Sequence, residues 1–239
     1  MSIWNPWHGC RKYSEGCLNC YVYRRDESIG KDASLVTKNA DFDLPLKKNR
    51  AKEYKIPSGE TLYTCMSSDF FISEADEWRP DIWSIIKQRT DISFIIITKR
   101  IIRFWECIPN DWGDGYDNVV ICSTIENQRQ CDIRLPFFSE LPIKRKMICC
   151  EPLLEEINLN GYLSDKISLV VAGGESGNDS RVCDYKWILS LREQCELRKV
   201  NFHFKQTGAK FLKDGRLFDI PRKLQMTQAS KAGLDIYFN

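Results

Sequence analysis

The residues best placed to do chemistry are three cysteines near the start, Cys10, Cys17 and Cys20, in the stretch WNPWHGCRKYSEGCLNCYVY. Disulfides use thiols in pairs, and a tetrahedral zinc site takes four ligands. Three close thiolates on a glycine-containing loop instead suit an iron–sulfur cluster with one iron left open. If the amino and carboxylate groups of S-adenosylmethionine fill that position, one electron from the cluster cleaves the sulfonium and releases a 5′-deoxyadenosyl radical. A structural zinc on the three cysteines plus His8 is the alternative. Gly9 and Gly16 would let the loop wrap a cluster.

The chain has eleven cysteines. Cys65, Cys122, Cys149 and Cys150 lie in apolar runs and read as small core residues, with Cys65, Cys122 and Cys150 near strand ends. Cys107, Cys131 and Cys195 read as helix packing, and Cys183 follows a glycine-rich loop. Trp4, Trp7 and Tyr21 flank the cysteine loop and read first as core aromatics. His203, between Phe202 and Phe204, reads as a satisfied strand histidine.

These residues need a scaffold. The chain has 239 residues, 43% hydrophobic and 28% charged, which is the size and composition of one large globular domain. A net charge of +2 advertises no global basic field. Residues 1–20 lack a charged start followed by a long apolar run, and no stretch approaches the roughly 20 apolar residues that span a bilayer. The expectation is a cytoplasmic protein with reduced or metal-bound thiols and no membrane partner.

Apolar runs predict strands at Ser2–Trp4, Thr61–Met66, Ser93–Thr98, Val119–Ser123, Lys146–Cys150, Ser168–Ala172 and Asn201–Lys205, the last followed by a basic tail. Helical spacing marks Tyr21–Ile29, Asp81–Gln88, Lys99–Cys107 and Tyr185–Leu197, with 126–138 helical or irregular. Residues 31–59 read as a polar insertion or flap. Strands alternating with helices predict an α/β fold with a mostly parallel sheet, a full or partial (β/α) barrel in a single domain over 1–239. A doubly wound sheet is the runner-up.

Each predicted strand ends in a polar cluster, where parallel α/β folds place their active residues. In order these are Ser67-Ser68-Asp69, Lys99-Arg100, Thr124 with Glu126-Asn127, Glu151-Pro152, Gly173-Gly174-Glu175-Ser176-Gly177, and Lys205-Gln206. The bland reading is helix capping, which suits Ser67, Asp69, Thr124 and Ser180. The Gly-Gly turn could expose N–H groups to an anion, or could simply be tight.

WNPWHGCRKYSEGCLNCY, SSDFF, ITKR, CEPLL, GGESG and FKQTG, in this order, resemble a three-Cys-motif, radical-SAM-like family of phage- and bacteria-encoded proteins carried as a domain of unknown function. The resemblance covers nearly the whole chain. It implies a radical SAM-like (β/α) barrel, a [4Fe–4S] cluster on Cys10, Cys17 and Cys20, and S-adenosylmethionine as co-substrate. By their place at strand ends, Ser67, Ser68, Asp69, Glu126, Gly173, Gly174, Glu175 and Ser176 are the candidate cofactor contacts, with Ser67–Asp69 the better-placed partner for the methionyl amine and Glu175 and Ser176 alternatively meeting ribose or substrate. Lys99, Arg100, Glu151 and Lys205 are the candidate substrate contacts; no residue is assigned as catalytic. Two features depart from the wider superfamily. Six residues, not three, separate Cys10 from Cys17, and Asn19 replaces the usual aromatic before Cys20. The Gly-Gly-Glu segment also follows a late strand, so its superfamily role does not carry over.

The implied function is a radical SAM enzyme acting on a small molecule, a nucleotide or a nucleic-acid base, with a reductant such as flavodoxin or ferredoxin. Its rivals are a non-catalytic zinc or iron–sulfur module that docks nucleic acid or a protein, and a phosphate-handling barrel hydrolase with a structural cysteine loop.

Overall fold

The computed structural model describes residues 2–238. Seven strands, β1 (Ser2–Trp4), β2 (Thr61–Thr64), β3 (Ser93–Thr98), β4 (Val119–Thr124), β5 (Lys146–Cys150), β6 (Ile167–Gly173) and β7 (Asn201–Gln206), form one sheet in chain order. The pairs β1–β2, β2–β3, β5–β6 and β6–β7 are parallel. Chain order without a reversal is the winding of a (β/α) barrel, whereas a doubly wound sheet reverses partway. The fold is mixed α/β with the strand order of a partial (β/α) barrel.

The helices are α1 (Tyr21–Glu27), α2 (Arg79–Gln88), α3 (Phe104–Cys107), α4 (Gln128–Glu140), α5 (Tyr185–Leu197) and α6 (Arg222–Lys231). Two have side-chain N-caps of the preferred type: Asn127 accepts from Gln130 N (2.9 Å) and Asp184 from Lys186 N (2.8 Å). Strand β2 stops at Thr64, two residues short of the predicted end, because Cys65 turns left-handed at φ 61°. No helix among the described residues is long and apolar enough to cross a membrane.

Two compact units divide the chain. The first holds Met1–Tyr13, Val22–Cys122 and Pro142–Arg145; the second holds Ser14–Tyr21, Ser123–Leu141 and Lys146–Asn239. In the first unit, a cluster of aromatic edges fills the core: Trp83 meets Phe70 at 5.1 Å and Trp112 at 5.3 Å between ring centroids. The 31–59 insertion is tied to it. Buried Arg89 donates to the carbonyls of Pro45 and Ile56 (2.7 Å to the latter) and pairs with Asp91 at 2.8 Å. Trp4 Nε1 donates to Phe42 O at 3.1 Å. A segment so tied is part of the packed body, not a loose flap.

In the second unit, β5–β7 pack with α4–α6. The predicted basic tail is structured: Lys210–Lys213 and Arg216–Asp219 form an antiparallel hairpin, the former also pairing with Cys183–Asp184, and α6 follows.

Candidate functional site

Of the eleven cysteines, only Cys10, Cys17 and Cys20 are not buried, and none forms a disulfide. Burial pushes the Cys107 thiol up to about 11 and those of Cys131, Cys183 and Cys195 to about 12; Cys65 and Cys150 are also raised. These are inert core thiols. Cys183 is fully buried and packs under Gly174.

In the first unit the ends of β2 and β3 hold the segment around Cys10. Gly9 N donates to Ser67 O (3.2 Å), and Ser68 Oγ donates to Gly9 O (2.5 Å). Gly9 sits at φ +92°, and a Cβ there would stand 2.1 Å from Leu35 O, so only glycine fits. Cys10 N donates to Ala33 O (2.8 Å), and Cys10 O accepts from Tyr23 Oη (2.5 Å). Arg100 Nη2 donates to Arg11 O (2.7 Å), and its Nη1 lies 3.8 Å from Cys10 Sγ, a fixed positive charge beside the sulfur.

Asp69 organises this cluster. Nearly buried, it accepts from Phe71 N (2.9 Å), Thr98 Oγ1 (2.7 Å) and Lys99 N (2.9 Å), and pairs with Arg100 (3.3 Å). Burial opposes the Arg100 charge, but Asp69 and Cys10 outweigh it and hold its pKa above the ordinary value. Lys99 itself is half-buried. Ser67 Oγ and Thr64 Oγ1, both buried, have no hydrogen-bond partner among the described residues, and the same is true of Ser123 Oγ and Ser180 Oγ. An unmet buried hydroxyl costs about 1–3 kcal/mol, which a water or a ligand atom would relieve.

His8 is engaged elsewhere. Its Nε2 lies 2.5 Å from buried Asp26 Oδ2, and Arg25 Nη2 is 3.4 Å from its Nδ1. With a carboxylate on one ring nitrogen and a cationic donor on the other, His8 offers no nitrogen to a zinc in this arrangement.

In the second unit two further carboxylates hold the segment around Cys17 and Cys20. Glu126, fully buried, accepts from Ser14 Oγ and from Gly16 N (3.2 Å), and pairs with buried Arg134 Nη1 (2.8 Å). Glu175 is held by Arg181 through both oxygens (2.6 and 3.0 Å) and accepts from Asn19 Nδ2 (3.1 Å). Burial raises the Glu175 pKa, but Arg181 and Asn19 lower it more, leaving it below the usual carboxylate value. Asn19 also donates to Asp179 O (2.7 Å), and Arg181 Nη1 to Glu15 O (2.9 Å). Asn19 and Arg181 therefore both tie the cysteine segment to the Gly-Gly-Glu loop.

Glu151 and Lys205, at the ends of β5 and β7, pair at 2.8 Å, and Cys149 Sγ lies 3.5 Å from the same carboxylate oxygen. Burial disfavours the Lys205 ammonium, but Glu151 outweighs it and raises the pKa. A Cβ on Gly173 would stand 2.6 Å from Glu151 Oε1, and one on Gly174 2.2 Å from Thr207 O. Close backbone packing demands glycine at 174, while at 173 the Glu151 side chain would have to shift. Ser176 is half-buried beyond them. His203 Nδ1 lies 2.9 Å from Asp235, the satisfied strand histidine foreseen.

The candidate residues thus gather into three clusters: Ser67, Ser68, Asp69, Lys99 and Arg100 with Cys10; Glu126 and Glu175 with the 14–20 segment; and Glu151, Lys205 and Gly173. Sequence reasoning missed Ser14, Tyr23, Arg134 and Arg181. Only their partners in space reveal them, since Arg134 reads as one more helix charge. Among the described residues, no group of three His, Cys, Asp or Glu side chains is arranged to hold a metal ion.

Fold and site together define a mixed α/β protein with an accessible N-terminal cysteine segment pinned to the ends of sheet strands. The chain belongs to the family described as "Protein of unknown function (DUF5131)", whose model matches residues 1–234. No curated protein and no solved structure matches it.

Proposed function

We propose that the chain is an iron–sulfur enzyme of the radical SAM type, with Cys10, Cys17 and Cys20 as the thiolate ligands. One observation carries the reading: the three cysteines of the ligand motif are the only accessible ones among eleven. Soft thiolates in that number suit a cluster better than a hard cation. The orphaned hydroxyls of Ser67 and Thr64 suit a polar co-substrate such as S-adenosylmethionine. When bound, these groups would supply one-electron cleavage of a sulfonium and hence hydrogen abstraction from a substrate.

The chain's own residues do the rest. Asp69 holds Arg100 beside Cys10, and Glu126 and Glu175 hold the 14–20 segment. Arg100 places positive charge beside Cys10, where a thiolate would carry negative charge. Glu151 and Lys205 offer a paired acceptor and donor for a substrate, for which a nucleotide or nucleic-acid base remains the candidate. Uncrosslinked thiols in this number suit the cytoplasm, where a flavodoxin or ferredoxin would be the reductant.

Anaerobic reconstitution with iron and sulfide tests the reading. The expected result is a brown protein whose iron and acid-labile sulfide match one cluster, and which forms 5′-deoxyadenosine from S-adenosylmethionine after reduction. Cys17→Ala is expected to lose both properties without loss of thermal stability. A colourless protein holding one zinc and no iron would overturn the proposal in favour of a binding module.

A further inference from the structure

The hairpin and helix after β7 concentrate charge. Residues 210–231 carry Lys210, Lys213, Arg216, Arg222, Lys223 and Lys231 against two aspartates, a net +4 in a chain of net +2. None of these six is paired with a carboxylate among the described residues, whereas Arg134, Arg181 and Arg192 in the same unit all are. Among the described residues, Arg222 donates only to the side-chain amide oxygens of Gln206 and Gln225. Unneutralised cations at this density attract anionic partners.

Aromatic rings lie among them. Phe218 is 36% exposed on the outer strand of the hairpin, with the Arg216 guanidinium 4.9 Å from its ring centroid. Tyr185 is half-buried, with Lys213 Nζ 4.6 Å from its centroid, and it stands edge-on to Phe211 at 6.0 Å. Between the hairpin and α6 runs a cleft of about 490 Å³ lined by both rings and by Lys213, Leu224 and Lys231. Partly exposed rings interleaved with cations that lack a carboxylate partner fit unstacked bases on a phosphate backbone; a duplex hides its base faces from such rings.

We propose that the hairpin Lys210–Asp219 and helix α6 form a docking surface for single-stranded nucleic acid. Bases stack on Phe218 and Tyr185, and phosphates meet Lys213, Arg216 and Lys231. The surface shares no residue with the cysteine site, and its test needs no iron, so either proposal can fail alone.

Fluorescence anisotropy of the full chain with labelled oligo-dT and oligo-U of about twelve nucleotides tests this. With about four phosphates engaged, affinity should fall roughly 50-fold between 50 and 200 mM salt. Phe218→Ala, at an exposed position, should weaken binding by roughly 5- to 100-fold with the salt dependence unchanged. The double variant Lys213→Ala/Lys231→Ala should lower the log–log salt slope by about 1.4. Thermal unfolding of each variant confirms the fold. Absence of binding at 50 mM salt, unaltered affinity in Phe218→Ala, or equal competition by a duplex or by thymidine monophosphate would each overturn it.

Discussion

Removing the Glu126 carboxylate should separate what holds the fold from what holds the cysteine segment. Glu126 and Arg134 are both buried and pair at 2.8 Å, and the second Glu126 oxygen accepts from Ser14 and Gly16. Glu126→Ala removes the carboxylate from a buried guanidinium that also donates to the Thr124 carbonyl, 2.7 Å away. Breaking a buried pair from one side costs about 3–5 kcal/mol, about a fifth or more of the stability of an ordinary domain. Replacing both charges with apolar groups is often close to neutral. Urea unfolding should therefore show a large loss for Glu126→Ala and recovery to within about 1 kcal/mol of wild type for Glu126→Leu/Arg134→Met. Hydrogen exchange at the Gly16 amide should accelerate in both, since both lose its acceptor. Iron loading should be impaired in both. A double variant as unstable as the single one, or a Gly16 amide still protected in it, would refute the assignment of Glu126 as a tether.

Lys146 is buried with its Nζ on Ser139 O (2.6 Å), and burial pushes its pKa down to about 8. Between about pH 8 and 10.5 the unfolded chain binds more protons at this site, so wild-type stability should rise with pH across that window and carry the full penalty below it. Lys146→Met should then stabilise at pH 7 by about 1–3 kcal/mol, an advantage that vanishes near pH 10.5 in urea unfolding. Arg181→Met removes the main partner of Glu175, whose lowered pKa contributes stability above its unfolded value that is lost as pH falls through the folded one. Its stability deficit at pH 7 should shrink below about pH 4, where the carboxyl is protonated in either chain. Gly174→Ala drives a methyl to 2.2 Å from the Thr207 carbonyl, so it should cost about 3 kcal/mol or more or fail to yield soluble protein.

Strands with both faces buried were legible, because an unbroken β-branched or apolar run needs no register to be recognised. Ser93–Thr98 and Lys146–Cys150 have the bounds the sequence suggests, as does the amphipathic helix Tyr185–Leu197. Residues 210–231 were not legible. Their outer strand is exposed throughout and α6 buries only Gln225 and Ala229, so neither shows a hydrophobic period. The end of β2 was missed for a different reason: Cys65 continues the apolar run in composition but leaves it in backbone angle.

The strand-end carboxylates show the deeper limit. A polar residue after a parallel strand is required both by a ligand and by a loop that must be anchored over the sheet, and one sequence position looks the same in either role. The difference lies in partners drawn from afar: Asn19 and Arg181 for Glu175, Ser14 and Arg134 for Glu126, Thr98 and Arg100 for Asp69. Those three carboxylates are committed to the cysteine segment and its supports. Among the described residues, polar groups that could meet a ligand include the unmet hydroxyls of Thr64 and Ser67 and the Glu151–Lys205 pair. Substitutions at the first set should therefore act through the placement of the cysteines, and substitutions at the second through ligand affinity with the cysteines in place.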